Sequence, residues 1–120
     1  MKIIIIGLGL IGGSIAKTLS NSEDYEILAF DSDQSSIKNA LDKKSIQGSL
    51  HSLDDLVNPE YENSLVIIAT PPSVTNRILR SLEFLFNSSI TITDTTSTKS
   101  FLKKLCRNLT FLKILFSLIL

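Results

Sequence analysis

Residues 2–19, KIIIIGLGLIGGSIAKTL, limit what this chain can fold into more than any other stretch. Residues 3–6 are consecutive isoleucines with no polar alternation. A strand of that composition is buried on both faces, which places it inside a parallel sheet covered by helices. The run breaks at Gly7-Leu8-Gly9-Leu10-Ile11-Gly12, a G-x-G-x-x-G spacing, and Ile11, Ile15, Ala16 and Leu19 then recur at helical period. Strand, glycine turn and helix stand in the order that a dinucleotide-binding turn needs. Gly7 would allow the tight turn, Gly9 would let a pyrophosphate approach the backbone, and Gly12 would let helix and strand pack closely. The free N–H groups and positive dipole end at the helix start would then face the phosphates. Gly7, Leu8, Gly9, Leu10, Ile11 and Gly12 are therefore candidate cofactor residues, against the plain alternative of a structural strand–helix turn.

Such a turn is followed about 20 residues later by an acidic residue that binds the adenosine ribose. Residues 27–30 read as a second strand, and Asp31 stands at its end. Its carboxylate would accept from the ribose hydroxyls and repel a 2′-phosphate, which favours NAD over NADP. The competing role, a turn residue or a cap for the next helix, is already suited by Ser32 and Asp33.

The remaining elements follow the same rhythm. Residues 35–43 read as a helix with Ile37, Ala40 and Leu41 on one face, and residues 45–51 as a short edge strand. Residues 53–57 form a brief helix that Asn58-Pro59 ends. Residues 65–69, LVIIA, are a second continuous apolar run, hence another central strand. It leads into Thr70-Pro71-Pro72, where Thr70 is placed to cap a helix whose first turn tolerates both prolines. Val74, Ile78, Leu82 and Leu85 supply that helix with its apolar face. Residues 90–93 make a fifth strand, running into Asp94, and a further helix is expected over about residues 98–108 with Ser97 at its cap. Strands interleaved with helices in this way predict an α/β fold of Rossmann type, a single-domain, doubly wound parallel sheet in the order 3-2-1-4-5. Ligands bind at the carboxyl ends of the strands in such sheets, which brings Thr70, Pro71, Pro72 and Asp94 into the candidate site.

Composition narrows the class. A chain of 120 residues is one domain, and 12 Lys plus Arg against 12 Asp plus Glu leave no net charge. No basic stretch interleaved with aromatics points to nucleic acid. The single cysteine, Cys106, excludes an internal disulfide framework and suits a reducing, cytoplasmic setting. No metal-ligand spacing stands out. No apolar segment reaches the ~20 residues of a membrane span, and the N-terminal run is too short for a signal peptide. Residues 109–112 could add a sixth strand, but residues 113–120 continue as an apolar run with little polar relief and with nothing after it to cover it.

Three of these stretches resemble one family, the prephenate and arogenate dehydrogenases of tyrosine biosynthesis. GLGLIGGS at residues 7–14, IATPPS at residues 68–73 and DTTSTK at residues 94–99 are similar to its glycine turn, its turn after the fourth strand and its D-V-G-S-x-K segment. Thr96 stands where the family has glycine, while Asp94, Ser97 and Lys99 match. The resemblance implies an NAD(P)-dependent oxidative decarboxylation of prephenate or arogenate. It makes Ser97 the active-site serine that bonds substrate and a catalytic histidine. It also implies homodimers formed through a helical second domain. The match covers residues 1–112, expected as the dinucleotide-binding domain, with 113–120 as an apolar tail. In the family an H-P-x-x-G segment follows, and its histidine accepts a bond from the ring hydroxyl. The one histidine here, His51, lies elsewhere and takes no such role. The expectation is a chain truncated before that histidine and inactive alone, its tail read out of frame from an AT-rich gene. The alternatives are a free-standing dinucleotide-binding module, a 3-hydroxy acid dehydrogenase fragment and an inactive remnant.

Overall fold

The computed structural model describes residues 1–95. It is built on a five-stranded parallel sheet of β1 (Lys2–Ile6), β2 (Glu26–Phe30), β3 (Gly48–Ser49), β4 (Leu65–Ile68) and β5 (Thr91–Asp94). The order is β3-β2-β1-β4-β5, as the sequence predicts. The connections carry α1 (Leu10–Leu19), α2 (Gln34–Asp42) and α3 (Pro72–Ser81). This is the Rossmann-type architecture.

Because successive side chains of a strand point to opposite faces, the isoleucines of β1 divide between two cores. Ile3 and Ile5 pack with Ile15, Ala16 and Leu19 of α1 and Ile37 of α2. Ile4 and Ile6 pack on the other face with Leu56, Leu82 and Leu85. Each isoleucine is at most 1 % exposed, and fully burying such a side chain contributes roughly 1.5–3 kcal/mol. Both faces of the sheet are thus closed around the strand that leads into the glycine turn.

Several expected elements shift for local reasons. The edge strand expected over residues 45–51 pairs only at Gly48–Ser49. The brief helix is a 3-10 helix, Leu53–Val57, whose Ser52 cap and Asp55 side chain satisfy each other's backbone N–H groups. Thr70 does not cap α3: Pro71 holds that position without a side-chain hydrogen bond. Two prolines leave few N–H groups for a cap to satisfy, and the Thr70 hydroxyl instead bonds the Thr75 hydroxyl at 2.7 Å. Leu85 is buried, but in a separate 3-10 turn (Glu83–Leu85) after α3 has ended. The helix expected over residues 98–108, the sixth strand, Cys106, the boundary near residue 112 and the tail lie outside the described residues.

Candidate functional site

The register of the sheet decides which residues meet. Ile6 of β1 pairs with Phe30 of β2 and with Ile68 of β4, and Ile68 pairs with Asp94. The carboxyl ends of four strands therefore lie level, and Gly7, Asp31, Thr70 and Thr95 follow along one rim. The Gly7 N–H donates to the Phe30 carbonyl at 2.9 Å, the Ala69 N–H to the Ile6 carbonyl at 2.8 Å, and the Thr95 N–H to the Ile68 carbonyl at 3.0 Å. This rim is where doubly wound sheets bind ligands.

The glycine turn has the geometry its spacing predicts. Gly7 has φ +100°, and a Cβ there would stand 2.7 Å from the Ala69 carbonyl oxygen. A Cβ on Gly12 would drive into the Gly7 carbonyl oxygen, so α1 lies against β1 only because that position is bare. Gly9 differs. Nothing stands within 4 Å of where its Cβ would be, and it is exposed. Open space in front of this backbone is what a bulky anion would need. Gly9 is also the N-cap of α1 and makes no side-chain cap bond, so the helix start keeps unsatisfied N–H groups aimed outward. By contrast, α2 is capped by the side chain of Asp33. Leu10 and Ile11 are 90 % and 57 % exposed at the mouth of the turn, whereas Leu8 tucks partly against the core.

Asp31 reaches back to the turn. Its Oδ2 accepts from the Leu8 N–H at 2.8 Å and its Oδ1 from the Asp33 N–H at 2.8 Å. An ionised carboxylate has about four acceptor sites, so the pair of backbone bonds leaves capacity for two hydroxyls. Pro71 and Pro72 are exposed at the start of α3, and Thr75, almost fully buried, holds that turn through its bond to the Thr70 carbonyl at 3.0 Å. Asp94 is buried at the end of β5. Ser97 and Lys99 lie outside the described residues.

A cavity of about 280 Å³ opens on this rim, lined by Gly7, Asp31, Ser32, Val74, Arg77 and Ile78 among others. Sequence reasoning missed its far wall. Val74 and Ile78 read as core positions of α3; Ile78 does pack against the core, but both are half-buried and line this cavity, and Arg77 stands between them. The available signal was helical spacing, which puts residues 74, 77, 78 and 81 on one side of a helix that starts at the rim. A larger groove of about 820 Å³ runs between α1 and α2, flanked by exposed Lys17, Lys43 and Lys44. It begins at the glycine turn, with Leu8, Gly9 and Leu10 in its lining, and continues along the helix flanks, whereas the smaller cavity holds Gly7, Asp31 and Thr70 at the strand ends, where ligands bind in such sheets. Among the described residues no cluster of His, Cys, Asp or Glu could hold a metal ion, and no helix is long and apolar enough to cross a membrane.

The sequence profile of the TrkA-N domain family matches residues 3–115. The chain belongs to this family. It is 38 % identical over 110 residues to the prephenate dehydrogenase of Lactococcus lactis subsp. cremoris (strain MG1363), a match that takes in 90 % of this chain and 30 % of that protein. The fold is similar to that of prephenate dehydrogenase from A. aeolicus, solved in complex with hydroxyphenyl propionate and NAD+. The TM-score is 0.67 and the identity 25 %, over 78 % of this chain and 32 % of the other. It is also similar to Synechocystis arogenate dehydrogenase, with a TM-score of 0.58 and 26 % identity over 79 % of this chain and 32 % of the other. The chain thus spans about a third of the length of these relatives. These likenesses bear out the resemblance carried by the glycine turn, the IATPPS turn and the DTTSTK segment.

Proposed function

We propose that this TrkA-N domain is the NAD-binding part of an enzyme of the prephenate or arogenate dehydrogenase type. The observation that carries the reading is the convergence on one rim of an uncapped α1 N-terminus, open space at Gly9 and the Asp31 carboxylate. The α1 N–H groups and the bare backbone at Gly9 would hold the pyrophosphate, and Asp31 the adenosine ribose hydroxyls. Leu10 and Ile11, exposed at the mouth of the turn, would cover the cofactor's apolar edges, and Thr70, Pro71, Pro72 and Asp94 would border its nicotinamide end. The bound nicotinamide supplies the hydride acceptor. Ser97 would hydrogen-bond the substrate, a small cyclic hydroxy acid that loses hydride from the ring carbon bearing its hydroxyl and loses its ring carboxylate as CO₂.

The preference for NAD over NADP rests on Asp31. The cytoplasm fits the single cysteine and belongs to the same proposal, as does a homodimer of the whole enzyme. Titration of the chain with NAD and NADP, followed by an assay with prephenate and arogenate in the presence of the remaining length of the enzyme, is the test. Failure to bind either cofactor would overturn the reading.

A further inference from the structure

We propose that Arg77 closes over the adenine base of the cofactor, laying its guanidinium on the purine face. This rests on the dinucleotide reading above and names a binding residue outside the glycine turn and Asp31. The rim cavity, at about 280 Å³, is at or below the lower end of the ~300–1,000 Å³ usual for small-molecule sites. It has room for one end of a dinucleotide, and its lining says which. Asp31 and Ser32 stand on one side, where a ribose would sit, while Ile6, Val74 and Ile78 give apolar walls. A flat base attached to that ribose is the chemistry such walls accept.

Arg77 is the one cationic residue lining the cavity, and it is exposed at the edge. Among the described residues the ion pair found is Lys2–Glu60, so no acidic partner ties the guanidinium down. A planar guanidinium stacks on aromatic faces, whereas a lysine ammonium does so less well. The same guanidinium could instead meet a 2′-phosphate. Two features favour the base: Asp31 shares the cavity and would repel a phosphate, and the walls beside Arg77 are apolar.

The test compares the wild-type chain with Arg77→Ala and Arg77→Lys by calorimetric titration against NAD, ADP-ribose and NADP, with circular dichroism to check the fold. Arg77→Ala should raise Kd for NAD and for ADP-ribose alike, by about fivefold, and Arg77→Lys should fall between it and the wild type. Equal weakening of both ligands places the contact on the adenosine side, because ADP-ribose lacks the nicotinamide. An unchanged NAD affinity in Arg77→Ala, or a loss confined to NADP, would overturn the inference while leaving the dinucleotide reading intact. A wild-type chain that binds neither NAD nor ADP-ribose would overturn both.

Discussion

The backbone N–H of Leu8 donates to the Asp31 carboxylate across 2.8 Å, so one side chain at the end of β2 holds the glycine turn that follows β1. The other oxygen holds the Asp33 N–H, and Asp33 caps α2. Asp31 is therefore both the proposed ribose acceptor and a structural tie between two loops of the rim. A substitution there acts on both roles, and the choice of replacement separates them.

Wild-type chain should bind NAD roughly tenfold to a hundredfold more tightly than NADP, the equivalent of ~1–3 kcal/mol of repulsion between Asp31 and a 2′-phosphate. Asp31→Asn removes the charge and keeps one acceptor oxygen, so it should narrow that gap at a cost of about 1 kcal/mol of stability, because only one of the Leu8 and Asp33 N–H groups keeps its acceptor. Asp31→Ser should also narrow it, but should cost about 1–2 kcal/mol of stability, because the Leu8 N–H is left without its acceptor. Calorimetry with both cofactors and urea unfolding of each variant measure the two effects. Equal or tighter NADP binding by the wild-type chain would count against the role of Asp31.

The glycines of the turn should separate folding from binding. Gly12→Ala drives a methyl group into the Gly7 carbonyl, and should cost about 3 kcal/mol or more, an overpacking penalty at the upper end of the usual range. Gly13→Ala meets only the Leu8 carbonyl at 3.6 Å, an ordinary contact, and in mid-helix it should be neutral or stabilise by about 0.5–1 kcal/mol. Gly9→Ala has free space around it and an extended backbone, so it should fold normally yet bind NAD at least about tenfold more weakly, by blocking the approach of the pyrophosphate. Thermal unfolding and titration on the same samples check all three. Undiminished NAD binding by Gly9→Ala would show that the phosphates do not approach there.

The fold was legible because β1 and β4 are continuous apolar runs that only a parallel sheet buries on both faces, and because each ends in a turn with its own chemistry. The glycine turn and Asp31 were legible for a related reason, since their spacing is fixed by the strand–helix–strand unit itself. Thr70 misled because cap preference is local, while its hydroxyl found a partner in Thr75 five residues along. The edge strand shrank to Gly48–Ser49 because one neighbour, β2, gives it few bonds to make. Arg77 was hidden for a different reason: its position beside Asp31 depends on β4 lying next to β1, a relation between residues far apart in sequence.

Asp33 offers a test by pH. Hydrogen bonds from the Ser35 side chain and backbone, and from the Ser36 side chain, hold its carboxyl below the ordinary value of 3.8. A depressed folded-state value means that the cap contributes above the unfolded value and is lost as pH falls through the folded one. The Ser35 amide, protected at neutral pH by its 3.0 Å bond to Asp33, should lose protection only once the pH has dropped below that ordinary value. Asp33→Ala should abolish the protection at every pH. Amide exchange followed by NMR reads both, and protection of Ser35 that ignores pH would show that the cap is not the cause.

These 120 residues on their own should bind NAD yet not oxidise prephenate at a useful rate. The resemblance assigns the acceptor for the ring hydroxyl to a histidine, and the chain has one, His51. It is exposed just past β3, at the edge of the sheet opposite β5. Four strand spacings of about 4.8 Å put the two edges roughly 19 Å apart, so His51 cannot reach a substrate held at the β4–β5 side of the rim, where the proposed reading puts the nicotinamide end. Loss of one positioned acid–base group costs ~10²–10⁴-fold, and the site would also lack the remaining two thirds of the relatives' length that could close it against water. Following NADH absorbance with prephenate and with arogenate is the measurement, with His51→Ala beside the wild type. A kcat in the ordinary range of ~1–10³ s⁻¹ would show that these residues alone assemble the catalytic site. Abolition of such turnover in His51→Ala would place the hydroxyl acceptor at the wrong edge of the sheet for this reading.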